Sequence, residues 1–305
     1  MTDGNRPRHA AKVEPASEVG SAPEAEPASE VGPAPEAEQV PAIEPAELTE
    51  LAAELARRAG ALALRRREQG LSVATKSSAT DLVTDADRAV EEMLRAELAA
   101  RRPDDAVLGE EGGASAGRPD ARVRWLIDPI DGTVNFLLGL PQYAVSIAAQ
   151  LDGRTVAACV LNPVSGELFR ATRGAGAFLG EQRLTGPRAV PLAEAVLATG
   201  FAYDPALRAR QAQLAAKVLG RVGNLRRLGS AALDLCFLAA GRLDLYYEGP
   251  LGEWDYAAGL LIAQEAGAAT SGLAGRPAGA KLVAAANPAV AGEFFALLEE
   301  LGVAD

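Results

Sequence analysis

Apolar residues in the first patterned stretch of the chain recur at intervals of three and four, as on one face of an α-helix. This spacing predicts a helix that ends by Gly70, with the apolar stripe Leu48, Leu51, Leu55, Ala59 and Leu62. A second helix is predicted to follow, because Thr84 and Asp87 have the spacing of a capping box. Its apolar face is Val90, Leu94 and Leu98.

Short apolar runs separated by Gly and Asn-Pro turns predict strands in the next part of the chain. These runs are 106–108, 123–127, 143–151, 155–160, 168–172 and 177–179. The remainder alternates, with helical patterns over 205–219, 230–240, 255–266 and 289–301, and extended runs near 225, over 243–247 and over 282–285. This order predicts an α/β (α+β) protein in which helix layers and sheets are stacked.

The first 45 residues differ from the rest. The segment Glu14–Ala37 contains one twelve-residue sequence twice, with a single difference, and it consists largely of Pro, Glu and Ala. Such a composition buries too little apolar surface to offset the entropy lost on ordering. We therefore expect a disordered acidic tail over 1–45 and a single catalytic domain over 46–305.

Composition excludes several classes of function. The chain carries a net charge of −11, six units of which lie in the tail, so no basic surface for nucleic acid is indicated. No apolar run is long enough for a membrane span or a signal peptide, and the two cysteines, Cys159 and Cys236, lack metal-ligand spacing. We expect a cytoplasmic protein with buried free thiols. The one histidine, His9, lies in the tail, which excludes histidine-based catalysis in the folded part.

The segment Trp125–Phe136 contains the strongest chemical signal. Asp128 and Asp131 follow an apolar run, and Pro129 cannot donate to a sheet, so we expect the strand to end near Asp128. Paired carboxylates at a strand end provide part of the oxygen shell that Mg²⁺ prefers. The backbone N–H groups of Gly132 and Thr133, at the start of a helix, would bind an anion beside it. By itself this segment is also compatible with an ordinary tight turn.

Three further acidic positions lie where the patterns break. Glu110 and Glu111 follow the 106–108 run, Asp87 lies in the first turn of the second helix, and Asp255 opens a later helix. Taken singly, Asp87 and Asp255 are compatible with ordinary helix N-terminal residues. The two glutamates are likewise compatible with a solvated loop.

Together these residues match a known pattern, and from about residue 48 to 301 the chain resembles the inositol monophosphatase family. That family comprises magnesium-dependent, lithium-sensitive sugar-phosphate phosphatases with a layered α-β-α-β-α fold. The two principal motifs are Trp125–Phe136 and Trp254–Gly259. Flanking matches occur at Lys76–Asp87, Gly109–Gly112, Gly229–Asp234 and Tyr246–Glu248.

The resemblance implies roles for individual residues. Two to three Mg²⁺ ions would be bound by Glu110, Asp128, the Ile130 carbonyl, Asp131 and Asp255. Glu110 and Thr133 would orient the attacking water, with Asp87 positioning Thr133. Gly132 and Thr133 would bind the phosphate, and Asp131, the Ala231 N–H and Glu248 would contact the hydroxyls of the substrate.

The resemblance also implies a small sugar or polyol phosphate as substrate, inositol 1-phosphate first, and a homodimer, without nucleic acid or membrane as primary partners. Val134 and Phe201 depart from residues found in some members, which puts the choice of substrate in doubt. Alternatives of the same fold are phosphatases of histidinol phosphate, fructose 1,6-bisphosphate or 3′-phosphoadenosine nucleotides. A non-catalytic accessory role is the alternative from another class, although every expected metal ligand is present.

Overall fold

The computed structural model describes residues 43–76, 82–115 and 117–303. Residues 1–42 of the predicted tail, and Ser77–Asp81 of the first flanking match, lie outside the described residues. The predicted disorder of the tail and the domain boundary at residue 46 therefore stay predictions.

Seven α-helices lie in the described part of the chain. They are α1 Pro45–Gln69, α2 Asp85–Arg101, α3 Thr133–Leu138, α4 Pro205–Leu219, α5 Ala231–Ala239, α6 Glu253–Glu265 and α7 Pro288–Glu300. Local chemistry explains several ends. Pro45 occupies the first turn of α1, where its missing N–H costs no hydrogen bond, and Gly70 ends the helix with φ 94°. The predicted capping box at Thr84 and Asp87 begins α2.

The strands form two main sheets and one hairpin. Their bounds are β1 Val73–Thr75, β2 Leu82–Thr84, β3 Ala106–Gly109, β4 Gly113–Ser115, β5 Val123–Asp131, β6 Ala144–Leu151, β7 Arg154–Leu161, β8 Leu168–Thr172, β9 Gly176–Leu179, β10 Gln182–Arg183, β11 Val196–Thr199, β12 Asn224–Arg226, β13 Leu245–Glu248, β14 Ala269–Ser271 and β15 Val283–Ala286.

The larger sheet has eight strands in the order β10-β9-β8-β7-β6-β5-β3-β4, and the smaller has five in the order β12-β11-β13-β15-β14. Neighbours in the larger sheet are antiparallel except for β3 and β5, which run parallel. In the smaller sheet β12, β11 and β13 are parallel to one another. From β5 to β10 the strands of the larger sheet are neighbours in chain order.

Three apolar cores separate the layers. The first packs α1 and α2 against one face of the eight-stranded sheet, the second places α5 and α6 between the two sheets, and the third packs α7 on the outer face of the five-stranded sheet. Strand β5 shows why one sheet serves two cores. Trp125 and Ile127 face the first core and Leu126 faces the second, as the alternation of a strand requires. The predicted layered α-β-α-β-α fold is confirmed.

One predicted boundary is wrong in an instructive way. We expected the strand to end near Asp128 because of Pro129, but β5 continues to Asp131. The pairing of β5 with β6 is irregular between these two aspartates, and Pro129 lies within the irregularity, where a missing donor is tolerated. Several short strands, among them β4, β11 and β14, also carry no pattern that the sequence reading recognised.

One smaller expectation is met. Cys159 and Cys236 are free thiols, and both are buried. In the described part of the chain, every helix is too short or too polar to span a bilayer.

Candidate active site

A cleft of about 470 Å³ opens where the end of β5 meets the N-termini of α3, α5 and α6. It is lined by nearly every residue that the sequence singled out, namely Glu110, Asp128, Ile130, Asp131, Gly132, Thr133, Ala231, Glu248 and Asp255. Asp87 is the exception, because it lies behind the wall and touches Thr133. The residues come from six separate stretches of the chain, and the fold brings them to one place.

A bulge in β5 places both aspartates on the same side of the sheet. Residues three apart in a regular strand point to opposite faces. Here Asp128 pairs with Ser146 but Asp131 pairs with Ala144, so β5 has one residue more than β6 over this interval. The extra residue turns Asp131 toward the face that Asp128 occupies. The two carboxylates converge because β5 continues through a bulge between them and does not end at Asp128.

Each carboxylate of the pair is oriented by nearby donors. Oδ1 of Asp128 accepts the N–H of Ile130 at 3.0 Å. Oδ2 of Asp131 accepts the Ser230 hydroxyl at 2.6 Å and the N–H of Ala232 at 2.7 Å, which joins the end of β5 to the start of α5. These hydrogen bonds fix Asp131 relative to the start of α5, which contains Ala231.

Thr133 is positioned as the resemblance implies. Its hydroxyl lies 3.2 Å from both Oδ1 of Asp87 and the carbonyl oxygen of Ile130, and it can donate a hydrogen bond to either. Oδ2 of Asp87 accepts both the N–H and the hydroxyl of Thr84. The capping box of α2 thus also orients the first residue of α3.

Gly132 is required by the local backbone. Its φ of 97° lies in the left-handed region, and a Cβ there would approach the carbonyl oxygens of Gln142 and Gly229 to 3.0 Å. The turn leads directly into α3, whose first residue is Thr133. Gly132 and Thr133 both line the cleft beside the aspartates, and backbone N–H groups at a helix start favour an anionic group.

Glu110 and Asp255 complete the acidic cluster from other elements. Glu110 follows β3, and its N–H donates to the carbonyl of Ile127 on β5. Asp255 lies in the first turn of α6, where Oδ2 accepts the N–H of Gly252 at 2.6 Å. The Ser146 hydroxyl on β6 donates to the carbonyl of Trp254, which attaches the start of α6 to the larger sheet.

Burial and mutual repulsion raise the pKa values of these acids. Burial, and then the charges of Glu110, Asp131 and Asp255, raise the pKa of Asp128 well above its usual range. Burial raises the pKa of Glu110 to about 7 and that of Asp131 to about 6. The pKa of Asp255 is raised by burial and by the charge of Asp131. Positive charge inside the cleft would relieve this repulsion.

Lys76 is a site residue to which the sequence reading gave no role. Its Nζ lies 2.6 Å from Oε1 of Glu110 and 2.5 Å from Oε1 of Glu111. These charges raise the pKa of the Lys76 ammonium above its ordinary value, although burial opposes them. The contact spans 34 residues of sequence. No local spacing could have indicated it.

Glu248, the last residue of β13, also lines the cleft. The hydroxyl of Tyr246 donates to its Oε2 at 3.1 Å, and a Cβ at Gly200 would come within 1.8 Å of its Oε1. Burial, and then the charge of Asp131, raise its pKa to about 7. Phe201 also lines the cleft, next to Gly200. A hydrogen bond from Tyr246 thus orients the Glu248 carboxylate, and Gly200 leaves the space that this carboxylate occupies.

The donor set fits magnesium better than a softer metal. It consists of carboxylate and carbonyl oxygens from Glu110, Asp128, Ile130, Asp131 and Asp255, which are hard ligands, with no sulfur or imidazole. Among the described residues no group of three or more acidic, histidine or cysteine side chains is arranged so that it could hold a metal ion as it stands. Some of the carboxylate oxygens are already hydrogen-bonded. Glu110 accepts from the ammonium of Lys76, and Asp128 and Asp255 accept from backbone N–H groups.

Comparisons with known proteins find relatives that match most of the chain. The model of the Inositol monophosphatase family matches residues 44–302. An inositol-1-monophosphatase of Mycobacterium bovis is 47% identical over 272 residues, covering 83% of this chain and 94% of that protein. A protein called Nus factor SuhB, from Vibrio cholerae, is 41% identical over 233 residues, covering 75% and 86%. The crystal structure of the extragenic suppressor protein suhB of Bartonella henselae superposes with a TM-score of 0.78 at 36% identity, covering 83% and 99%.

Proposed function

The chain belongs to the inositol monophosphatase family, and from that premise we propose that it is a magnesium-dependent phosphate monoester hydrolase whose substrate is inositol 1-phosphate. The observation that carries the proposal is the convergence of Glu110, Asp128, Asp131 and Asp255 in one cleft beside the start of α3. Relatives named inositol-1-monophosphatase, at 47% identity, support the choice of substrate.

Magnesium would be held by the oxygen atoms of Glu110, Asp128, Ile130, Asp131 and Asp255. When bound, it supplies positive charge that offsets both the repulsion between these acids and the negative charge of the phosphate. The ammonium of Lys76 already pairs with Glu110, and this contact supports the placement of positive charge beside that carboxylate.

The phosphate would lie against the N–H groups of Gly132 and Thr133. A water beside Glu110 and the Thr133 hydroxyl then attacks phosphorus, so that a new P–O bond forms as the bond to the ester oxygen breaks. The water's proton passes to the Glu110 carboxylate, which acts as the general base. The departing alkoxide takes a proton from water in the open cleft and leaves as the alcohol, and Glu110 returns its own proton to the solvent.

Substrate hydroxyls would be recognised by Asp131, the N–H of Ala231 and Glu248. In the structure the start of α5 already bonds to Asp131 through the Ser230 hydroxyl and the N–H of Ala232, so these groups act as one unit. Glu248, at the end of β13, lines the same cleft. Adjacent hydroxyls of a polyol would bind to these groups.

A panel of phosphate monoesters, assayed with magnesium, tests this proposal. We expect inositol 1-phosphate to be hydrolysed faster than histidinol phosphate, fructose 1,6-bisphosphate or 3′-phosphoadenosine 5′-phosphate. Added lithium should inhibit in an uncompetitive pattern, because it would bind after ester cleavage. A preference for another ester would reassign the substrate, and no phosphate release from any of them would contradict catalysis altogether.

A further inference from the structure

A glutamate on α2 lies directly beneath the turn that carries Glu110. Glu91 is 2% exposed, and its two carboxylate oxygens accept two successive backbone N–H groups of this turn. Oε2 accepts the N–H of Glu111 and Oε1 accepts that of Gly112, each at 2.8 Å. Hydrogen bonds to a buried charged acceptor are among the stronger ones in proteins. The backbone of the turn is therefore fixed to α2 at two adjacent residues.

Arg95, one helical turn further along α2, closes this arrangement. Its Nε donates to Oε1 of Glu91 at 2.7 Å, and its NH2 group donates to the carbonyl of Gly113 at 2.5 Å. The turn thus gives two donors to Glu91 and one acceptor to Arg95. Since the two side chains also pair with each other, the buried charge of Glu91 is compensated within the same unit.

Two glycines make this approach possible. A Cβ at Gly109 would lie 2.5 Å from Oε1 of Glu91, and one at Gly112 would lie 2.7 Å from the same atom. Neither glycine has space for a methyl group unless the carboxylate moves. The two glycines of Gly109-Glu-Glu-Gly112 are therefore explained by the close approach of the Glu91 carboxylate. This explanation does not depend on what the two glutamates between them bind.

The other acids of the cleft are fixed by different elements. Asp131 is bonded to Ser230 and Ala232 at the start of α5, and Asp255 is bonded to Gly252 at the start of α6. Neither bond involves α2. A change at Glu91 should consequently act on Glu110 while Asp131 and Asp255 keep their orientation.

We propose that Glu91 is a positioning residue for the metal site that contains Glu110, because it fixes the 109–113 turn before any ion binds. This inference rests on the proposed function, since it assumes that Glu110 is a magnesium ligand. Groups that orient metal ligands affect metal affinity on the order of 10–100-fold when they are replaced. A mobile turn would have to lose its conformational freedom at the moment of binding.

The test uses Glu91→Gln in the full chain, with Glu97→Gln as its matched control. Both substitutions remove one charge from α2, but Glu97 pairs with Arg58 and Arg101 on the helix surface, away from the cleft. A glutamine at 91 keeps one acceptor oxygen, and its NH2 group cannot accept the second backbone N–H. Three measurements are needed: hydrogen exchange of the 109–113 amides in metal-free protein, calorimetric titration with Mg²⁺ alone, and the Mg²⁺ concentration for half-maximal phosphate release.

We expect the amides of Glu111 and Gly112 to exchange faster in Glu91→Gln, and one class of Mg²⁺ site to weaken by roughly 10–100-fold while another is retained. More magnesium should be required for half-maximal phosphate release, and Glu97→Gln should match the wild type in all three measurements. Unchanged exchange, or Mg²⁺ binding equal to that of the wild type, would overturn the inference.

A second variant separates charge from geometry. Gly109→Ala leaves the charge of Glu91 intact but displaces its carboxylate, so it should reproduce the weaker Mg²⁺ binding. If Glu91→Gln does not fold, this variant alone decides, and wild-type affinity in it contradicts the inference. A wild-type protein that neither binds Mg²⁺ nor releases phosphate would overturn the proposed function itself, and the inference with it.

Discussion

Two groups of acidic side chains in this protein have opposite surroundings. On the surface, Glu54 and Glu97 pair with Arg58 and Arg101 where α1 meets α2, and the Arg101–Glu54 and Arg58–Glu97 contacts each use two hydrogen bonds. These arginines lower the pKa values of both glutamates. Each negative charge of this surface network therefore has a positive partner in the folded chain.

The cleft acids show the reverse. Asp128 is 1% exposed, and burial together with four neighbouring acids raises its pKa well above the ordinary range. The ammonium of Lys76 contacts Glu110, and burial nevertheless raises the pKa of this glutamate to about 7. The four cleft acids therefore lie close together, and the positive charge beside them does not balance their negative charges. Such an arrangement opposes folding, which is typical of a functional site.

The difference teaches that the same residue type indicates function only through its surroundings. The surface network contributes modestly to stability because it is exposed and screened. The cleft acids are kept together by backbone hydrogen bonds and a strand bulge, against their own repulsion. This contrast predicts opposite consequences for substitutions in the two groups.

The largest effect should follow from Asp128→Asn, which breaks the cleft group at its most buried member. We expect phosphate release from inositol 1-phosphate to fall at least on the order of 10²–10³-fold, as when an essential electrostatic partner is removed. The folded protein should survive, because one repelling charge is gone. Circular dichroism and a turnover assay at saturating magnesium measure both outcomes.

Near-normal turnover in a folded Asp128→Asn protein would contradict the role assigned to the cleft acids. A variant that fails to fold would show instead that Asp128 is needed for structure.

The second prediction concerns pH and the metal-free protein. Glu110 has its folded pKa raised from 4.5 to about 7, and Asp131 from 3.8 to about 6. Their protonated forms are favoured in the fold, so their contribution to stability is complete below about pH 4 and is lost as the pH rises toward 7. We expect the free energy of unfolding to decrease over this window by a few kcal/mol, on the order of 1.4 kcal/mol per pKa unit.

Denaturant unfolding in a chelator, at several pH values, measures this change. Asp128→Asn serves as the comparison, since it removes one charge from the repelling group and should flatten the dependence. A metal-free wild type that gains stability between pH 4 and 7 would show that the cleft acids do not determine how the free energy of unfolding depends on pH.

The third prediction sharpens the comparison within the cleft, between acids for metal and an acid for substrate. If Glu248 accepts hydrogen bonds from ring hydroxyls, Glu248→Gln should cost about 1.5–3 kcal/mol in kcat/KM for inositol 1-phosphate. The loss for p-nitrophenyl phosphate, which lacks those hydroxyls, should be much smaller. Tyr246→Phe removes the donor to Glu248 and should shift selectivity in the same direction by less.

Steady-state kinetics on the two esters decides between the roles. Equal losses on both esters would remove Glu248 from substrate recognition and place it with the acids that act on the phosphate.

The smallest effect belongs to the surface network. Glu54→Gln replaces an exposed partner of Arg101, so we expect turnover to be unchanged and the melting temperature to shift only slightly. Thermal unfolding and the same turnover assay test this expectation. A large loss of activity from this substitution would mean that the two groups of acids are coupled through α2.

Much of the fold could be predicted because its elements have clear periodic patterns. The stripe from Leu48 to Leu62 and the capping box at Thr84 identify α1 and α2, and the apolar run from Val123 identifies β5. The bulge could not be predicted, because Pro129 indicates a strand end as readily as an interruption. Short strands such as β14 depend on pairing with distant residues and have no pattern of their own.

The cleft residues were predictable as a set of motifs, but their supporting contacts were not. Lys76 reaches Glu110 across 34 residues of sequence, and Glu91 reaches the N–H of Glu111 across 20. A single glutamate on a polar helix, such as Glu91, has the sequence appearance of a solvated residue. The three-dimensional structure is needed to show that it is buried beneath a turn of the active site.

Magnesium titration of the metal-stripped wild-type protein tests the central claim most directly, with phosphate release from inositol 1-phosphate and melting temperature followed in the same samples at pH 7. If the cleft acids bind the metal that catalysis requires, release should be absent without magnesium, and both quantities should rise over the same range of magnesium concentration. Phosphate release that persists in excess chelator, or magnesium that changes neither quantity, would contradict it.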